Sequence, residues 1–232
     1  MLILGIETAT YAAGCAIGGH EGVLAAAHTT KGRRHAESLV PSIEFICAQA
    51  QIDLGEISVV AVDLGPGLFT GLRVGIATAK SLAHALAVPM IGVASLDLLA
   101  FPVRYTSRLI AAAIDARRGE LYFAFYRQVP GGIQRLGEHR LGTPEDLASE
   151  LVASGEEVLL VGDGAHRYHE VFDGLTKVEL ADLAVAHPSA SSLVQLAHAR
   201  ALREQFQPGD TLQPIYLRKP DAEINWATRE QR

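Results

Sequence analysis

Asp63-Leu64-Gly65-Pro66-Gly67-Leu68-Phe69-Thr70-Gly71-Leu72-Arg73-Val74-Gly75 is the stretch on which the reading of this chain turns. Ile57 to Leu64 reads as a buried strand, the glycines that follow as a loop, and Leu72 to Ala87 as a helix. Gly65 and Gly67 allow a tight turn with positive φ around Pro66. Gly71 and Gly75, four apart on the helix, let its backbone approach another element closely. A glycine loop at a helix N-terminus also leaves amides for an anion. The Lys-Ser/Thr pair of a Walker loop is missing, and Lys80 stands well inside the helix. A Rossmann fingerprint does not fit either, because the chain's first strand does not precede the loop and the spacing differs. Chemistry alone leaves structural turn and anion site both open.

Towards the N-terminus, Leu2 to Glu7, Gly14 to Ile17 and Val23 to His28 read as strands. Thr8-Ala9-Thr10-Tyr11 is a polar turn suited to meeting a phosphate. Over 35–51 the period becomes helical, with Leu39, Ile43, Ile46, Cys47 and Ala50 on one stripe and Pro41 assigned near the first turn. Val88 to Val93 is a further strand. A second unit begins near Phe101-Pro102, with strands over Arg108–Asp115, Glu120–Gln128 and Gln134–Arg140. Thr143 and Pro144 mark a helix start, Val158–Val161 is a strand ending in Gly162-Asp163-Gly164, and a last helix runs over 189–205 before a polar tail. The pattern occurs twice, from residues 2 and 108, which predicts two duplicated α/β subdomains with mixed sheets, 1–100 and 101–232. That is the organisation of the actin-like ATPase fold, although periodicity alone also admits a Rossmann-like doubly wound sheet.

The 232 residues are 49% hydrophobic and 20% charged, enough apolar character for a sizeable core. The net charge is −6 with no basic patch, so any contact with RNA is expected to run through a partner. Cys15 and Cys47 sit in apolar contexts without metal-ligand spacing and read as reduced core thiols. Met1 to Ile6 is too short for a signal peptide, and later apolar stretches break before about 18 residues. A cytoplasmic protein without a membrane span is expected.

As a string of residues, Gly-Pro-Gly-x-Phe-Thr-Gly-Leu-Arg-x-Gly over 65–75 resembles the signature of the TsaB (YeaZ, glycoprotease-like) family. Ile3-Leu4-Gly5-Ile6-Glu7-Thr8-Ala9-Thr10 resembles the family's opening strand and first turn, and Arg34-His35-Ala36-Glu37-Ser38-Leu39-Val40-Pro41 its first helix. Ile114 to Tyr122 resembles its second hairpin, and Pro214-Ile215-Tyr216-Leu217-Arg218 its C-terminal segment. Leu68 stands where the family often has Ser, and Glu7 where Asp is commoner. The resemblance implies an actin-like fold and a non-catalytic scaffold in tRNA N6-threonylcarbamoyladenosine modification. It implies a heterodimer with TsaD, recruitment of TsaE, a homodimer when alone, and tRNA contact only through the complex.

The paralogue TsaD carries a His-x-x-x-His metal pair after the strand corresponding to Ile91–Val93, where this chain reads Val93-Ala94-Ser95-Leu96-Asp97-Leu98-Leu99. Ser, Leu and Ala supply no serviceable ligands, so a TsaD-type catalyst is not expected. His166 and His169 lie three apart without a third ligand and read as a solvated pair, which leaves no metal site or protease. Glu7, Thr8, Thr10, Gly65, Gly67, Thr70 and Asp115 form a candidate degenerate nucleotide or phosphate site. It is degenerate because Asp115 is followed by Ala116-Arg117-Arg118 instead of a glycine pair, and because Asp163 interrupts a possible adenosine clamp. No cofactor is expected to be required, though vestigial nucleotide binding stays open. The small residues at 71, 75, 79 and 83 and the apolar stripe of the first helix fit either burial within the domain or a partner surface; the resemblance implies the latter, through His35, Leu39, Ile43, Ile46, Gly71, Val74, Gly75, Thr78, Ala79, Leu82 and Ala83. The alternative function is a free-standing actin-like nucleotide-binding enzyme acting on a small molecule.

Overall fold

The computed structural model describes residues 1–30 and 35–218, leaving out the side chains of His35 and Ala36. Strand β1 (Leu2–Glu7) is an almost unbroken apolar run, and it is buried because antiparallel β2 (Ala13–Gly19) and parallel β4 (Ile57–Asp63) flank it. β3 (Gly22–Thr29) forms one edge and alternates in burial, as a strand covered on one face does. β5 (Met90–Val93) forms the other, giving the order β3-β2-β1-β4-β5. The second sheet holds β6 (Leu109–Arg117), β7 (Glu120–Val129), β8 (Gly132–Gly142), β9 (Val158–Val161) and β10 (Val178–Leu180), in the order β10-β9-β6-β7-β8. Counted from its own first strand, each sheet has the order third, second, first, fourth, fifth. This duplication, with an antiparallel meander opening each half, is the actin-like ATPase fold; a Rossmann-like sheet would have its first strands parallel.

Helices α1 (His35–Ala50) and α2 (Phe69–Leu86) cover one face of the first sheet, where Leu39, Ile43 and Ile46 pack with Ile6, Ile17, Val60 and Val62. Burying each of these side chains stabilises the fold by roughly 1.5–3 kcal/mol. Pro41 lies inside α1 instead of in its first turn. It is exposed there, and its missing N–H removes one bond of the helical ladder. α2 ends at Ala87, which takes the left-handed conformation with φ 54°. In the second half, α4 (Pro144–Ser154) starts as its sequence predicts, with Thr143 accepting from the Asp146 N–H in a capping box and Pro144 in the first turn.

Three short helices, α3 (Ser95–Ala100), α5 (Asp163–Arg167) and α6 (His169–Phe172), and the short β10 were not foreseen. The last helix, α7 (Ala190–Ala201), is capped by Ser189 but ends before Gln205. Two elements cross the expected boundary at residue 100. α7 packs its Leu193, Val194 and Ala197 on Ile3, Ala16 and Ala61 of the first sheet. α3 goes the other way, burying Leu96, Leu99 and Ala100 against Ile110 and Tyr126 of the second. Segment 206–218 also returns to the first sheet: the Gln207 N–H donates to the Met90 carbonyl, the Ile215 N–H to the Leu64 carbonyl, and Leu212 enters the first core. Arg218 then donates to the Ala116 carbonyl and pairs with Glu120 of the second sheet. Residues 190–215 thus pack largely on the first sheet, across the expected division 1–100 and 101–232.

Candidate functional site

The glycine-rich loop leaves β4 at Asp63 and is tied to its own surroundings. Asp63 Oδ1 accepts from the Gly65 N–H at 2.8 Å and from the Ser95 hydroxyl at 2.7 Å. The Ser95 N–H donates to the Gly65 carbonyl at 2.8 Å, and the Leu68 N–H to the Ala9 carbonyl at 2.7 Å. Gly65 has φ +94°, which only glycine adopts freely. Gly67 has a different reason from the one expected: its φ is not positive, but a Cβ there would collide with the Ala9 carbonyl.

The first turn folds against this loop. The Thr8 hydroxyl donates to the Gly71 carbonyl at 2.8 Å, and a Cβ on Gly75 would collide with Thr8 Oγ1. The Ala9 N–H donates to Glu7 Oε1 at 2.7 Å, and the Ala12 N–H to Thr10 Oγ1 at 3.2 Å. Glu7, Thr8, Thr10, Gly65 and Gly67 are thus brought together, and Thr70 stands exposed in the first turn of α2. As an anion site the cluster is spoiled. The Gly65 and Leu68 amides are used within the fold, and Glu7, Thr8 and Thr10 are buried.

Its carboxyls, when ionised, also oppose a phosphate. Glu7 and Asp63 are both buried, and each keeps one oxygen without a partner among the described residues, Glu7 Oε2 and Asp63 Oδ2. Burial pushes the Asp63 carboxyl up to about 7. Burial raises Glu7 as well, and the neighbouring Asp63 charge adds to it.

Asp115, at the end of β6, faces this turn from the second sheet. Its carboxylate pairs with Arg117 at 2.8 Å and Arg167 at 3.3 Å, and its N–H donates to Asp163 Oδ1 at 3.1 Å. The Arg117 guanidinium lies 4.3 Å from the centre of the Tyr11 ring, so it joins Asp115 to the first turn. Arg117, Arg118 and Gly119 all have positive φ, at 65°, 57° and 77°. The residues that make this joint beyond Asp115 include Tyr11, Arg117, Asp163, Arg167 and Tyr168. The Arg117-Arg118 pair was visible as a departure from a glycine-containing turn, whereas nothing in the sequence aimed Arg167 or Tyr11 at Asp115. Gly162 and Gly164 are packing residues: added Cβ atoms would collide with the Ala113 carbonyl and with Leu121.

The assigned partner surface needs a correction. Leu39, Ile43, Ile46, Gly71, Gly75, Ala79 and Ala83 point into the chain's own core, and Ala79 is 0% exposed. The every-fourth ridge of α2 is the strip that lets the helix approach β1 and β4. Val74, Thr78 and Leu82 are half-buried beside it, and the His35 side chain lies outside the described residues. Among the side chains these helices present to solvent are Val40 (51% exposed) and Phe45 (56% exposed) on α1 and Ala77, Ser81 and Ala85 on α2, beside the charged and polar Glu37, Glu44, Gln49, Arg73 and His84.

Where the catalytic paralogue has its histidine pair, α3 offers Ser95 and Asp97, both committed to bonds inside the fold. Among the described residues no group of three His, Cys, Asp or Glu side chains is placed to hold a metal. His169 Nδ1 lies 3.1 Å from the His166 carbonyl. Cys15 and Cys47 are free thiols, and burial pushes Cys15 up to about 12. No helix among the described residues is long and apolar enough to cross a membrane.

A family model described as "TsaD: tRNA N6-adenosine threonylcarbamoyltransferase" matches residues 24–226. The tRNA threonylcarbamoyladenosine biosynthesis protein TsaB of Escherichia coli K12 is 32% identical, over 94% of this chain and 95% of its own. An uncharacterized protein of Mycobacterium leprae is 34% identical over 99% of this chain, which spans 58% of that relative's length. YeaZ from Pseudomonas aeruginosa superposes with a TM-score of 0.82 at 27% identity, covering 93% of this chain and 99% of that one. The (R)-2-hydroxyglutaryl-CoA dehydratase component A of Acidaminococcus fermentans has a TM-score of 0.51 at 10% identity, over 87% and 99% of the two chains, a likeness of fold alone. With a near-full-length relative above 30% identity and a family model covering most of its residues, the chain belongs to the TsaB family.

Proposed function

We propose that the chain is a non-catalytic scaffold subunit in tRNA N6-threonylcarbamoyladenosine modification, pairing with TsaD and helping to recruit TsaE. The reading is carried by the match to TsaB of Escherichia coli along nearly the whole of both chains. The site adds support. The carboxylates and hydroxyls that a working nucleotide enzyme of this fold would aim at phosphate and metal are here bonded inward or paired with arginine. In this reading the partner meets the outer face of α1 and α2, around Val40, Phe45, Ala77, Ser81 and Ala85, where apolar and small side chains face solvent. The same face would form an isologous homodimer when TsaD is absent. The protein would act in the cytoplasm, need no cofactor and touch tRNA only through the complex, in keeping with its charge of −6.

The test is reconstitution of threonylcarbamoylation from cognate TsaC, TsaD and TsaE, with and without this chain. Modification that depends on the chain, with no activity from the chain alone, supports the proposal. Equal modification without it overturns the proposal. Tight ATP binding by the isolated chain, sensitive to Thr8→Val or Asp115→Ala, would then favour a free-standing nucleotide-binding enzyme.

A further inference from the structure

A cavity of about 440 Å³ opens between α3, α7 and the turn joining β7 to β8, and none of its lining residues belongs to the loop 63–75 or to the Asp115 cluster. Its size suits a small organic ligand. Asp97 lies at its wall, 14% exposed, accepting from the Tyr126 hydroxyl at 3.0 Å and pairing with Arg200 at 3.4 Å and Arg135 at 3.7 Å. Both arginines are held from behind as well: Arg135 donates to the Gly137 carbonyl at 3.1 Å and Arg200 to the Gly92 carbonyl at 2.7 Å. Two guanidiniums are therefore fixed at the cavity before any ligand arrives, which lowers the ordering needed on binding.

Arg203, beyond the end of α7, lines the same cavity, is exposed, and forms no ion pair among the described residues. The cavity lining thus carries three arginines and one aspartate, an excess of two positive charges among the residues that line it. Val129, Ile133 and Leu196 supply apolar lining to the same cavity.

We propose that this cavity binds a small phosphomonoester. At neutral pH a phosphomonoester carries close to two negative charges, which matches the excess, and its oxygens fit the guanidinium fork. The phosphate would sit among Arg135, Arg200 and Arg203, with the organic part against Val129, Ile133 and Leu196. A monocarboxylate would leave one charge unmatched, and a neutral ligand would leave both.

The test follows the arginine Nε–H resonances of the full chain by NMR while ribose 5-phosphate, ribose or succinate is added. Saturable shifts of Arg135, Arg200 and Arg203 are expected with ribose 5-phosphate, none with ribose, and weaker binding with the dicarboxylate succinate. Arg203→Ala should weaken ribose 5-phosphate binding by about tenfold or more, without changing the melting temperature of the unliganded protein. Ala199→Trp, which fills the cavity and removes no charge, should abolish it. Absence of a saturable shift, unchanged affinity in Arg203→Ala, or succinate binding as tightly as the phosphate ester would each overturn the proposal.

Discussion

Arg117 reaches from the second sheet to place its guanidinium 4.3 Å from the centre of the Tyr11 ring, in the turn that ends the first strand. The same guanidinium pairs with Asp115 at 2.8 Å, so one side chain closes the space between the two half-sites of the fold. An ion pair and a cation–ring contact fill it, which favours reading the site as a structural joint.

Removing the joint has a measurable consequence. Arg117 is a third exposed, so screening limits its worth, and Arg167 still compensates Asp115 when it is gone. Arg117→Ala should cost about 1 kcal/mol in urea denaturation. Tyr11→Ala should cost a similar amount, and the double variant clearly less than the sum. Strict additivity would mean that the ring and the guanidinium are not coupled.

Gly75 provides a second test. In an exposed helix Gly→Ala stabilises by up to about 1 kcal/mol. At Gly75 the new methyl would meet Thr8 Oγ1, and Gly75→Ala should instead destabilise by about 1–3 kcal/mol. Adding Thr8→Ala should return part of that loss. A stabilising Gly75→Ala would remove the packing account of the glycine spacing.

The buried carboxyls make stability depend on pH. Asp63 titrates near 7 in the folded chain and near 4 when unfolded, and Glu7 is shifted in the same direction. Between these values the folded state holds more protons than the unfolded one, so the Asp63 contribution to stability falls as pH rises from about 4 to 7 and is constant above that. Asp63→Asn keeps an acceptor for Gly65 and Ser95 while removing the charge. It should flatten this slope and raise stability at pH 8 by on the order of 1 kcal/mol. Urea midpoints across that range check it, and an unchanged slope would rule Asp63 out as its source.

Helix α2 separates packing from docking. Ala79 is fully buried, so Ala79→Glu should unfold the chain or cost about 3 kcal/mol or more, leaving nothing to be learned about assembly. Phe45→Asp, on the exposed face of α1, should change stability by no more than about 0.5 kcal/mol. Under the proposed function it should abolish co-elution with TsaD in size-exclusion chromatography. Retained co-elution of a folded Phe45→Asp would move the interface elsewhere.

Much of this architecture was legible in the residues themselves. β1 to β4, α1, α2 and the meander β6 to β8 follow from local period, turn glycines and caps such as Thr143, because these depend on neighbours a few residues apart. The clustering of Glu7, Thr8, Gly65 and Gly67 was also legible, through the likeness of the segments that carry them. What the residues could not disclose was direction and partner. The stripe Leu39-Ile43-Ile46 and the ridge Gly71-Gly75-Ala79-Ala83 look the same whether they face another protein or their own sheet. Tertiary packing alone turned them inward, where Leu4, Ile6, Val60 and Val62 of β1 and β4 receive them and Thr8 occupies the space above Gly75. Packing likewise sent α7 back onto the first sheet and α3 onto the second. It also brought Arg117 to Tyr11 and gathered Arg135, Arg200 and Arg203 around one cavity. Each of these contacts joins residues far apart along the chain, where burial and charge compensation in three dimensions decide the outcome and local pattern carries no signal.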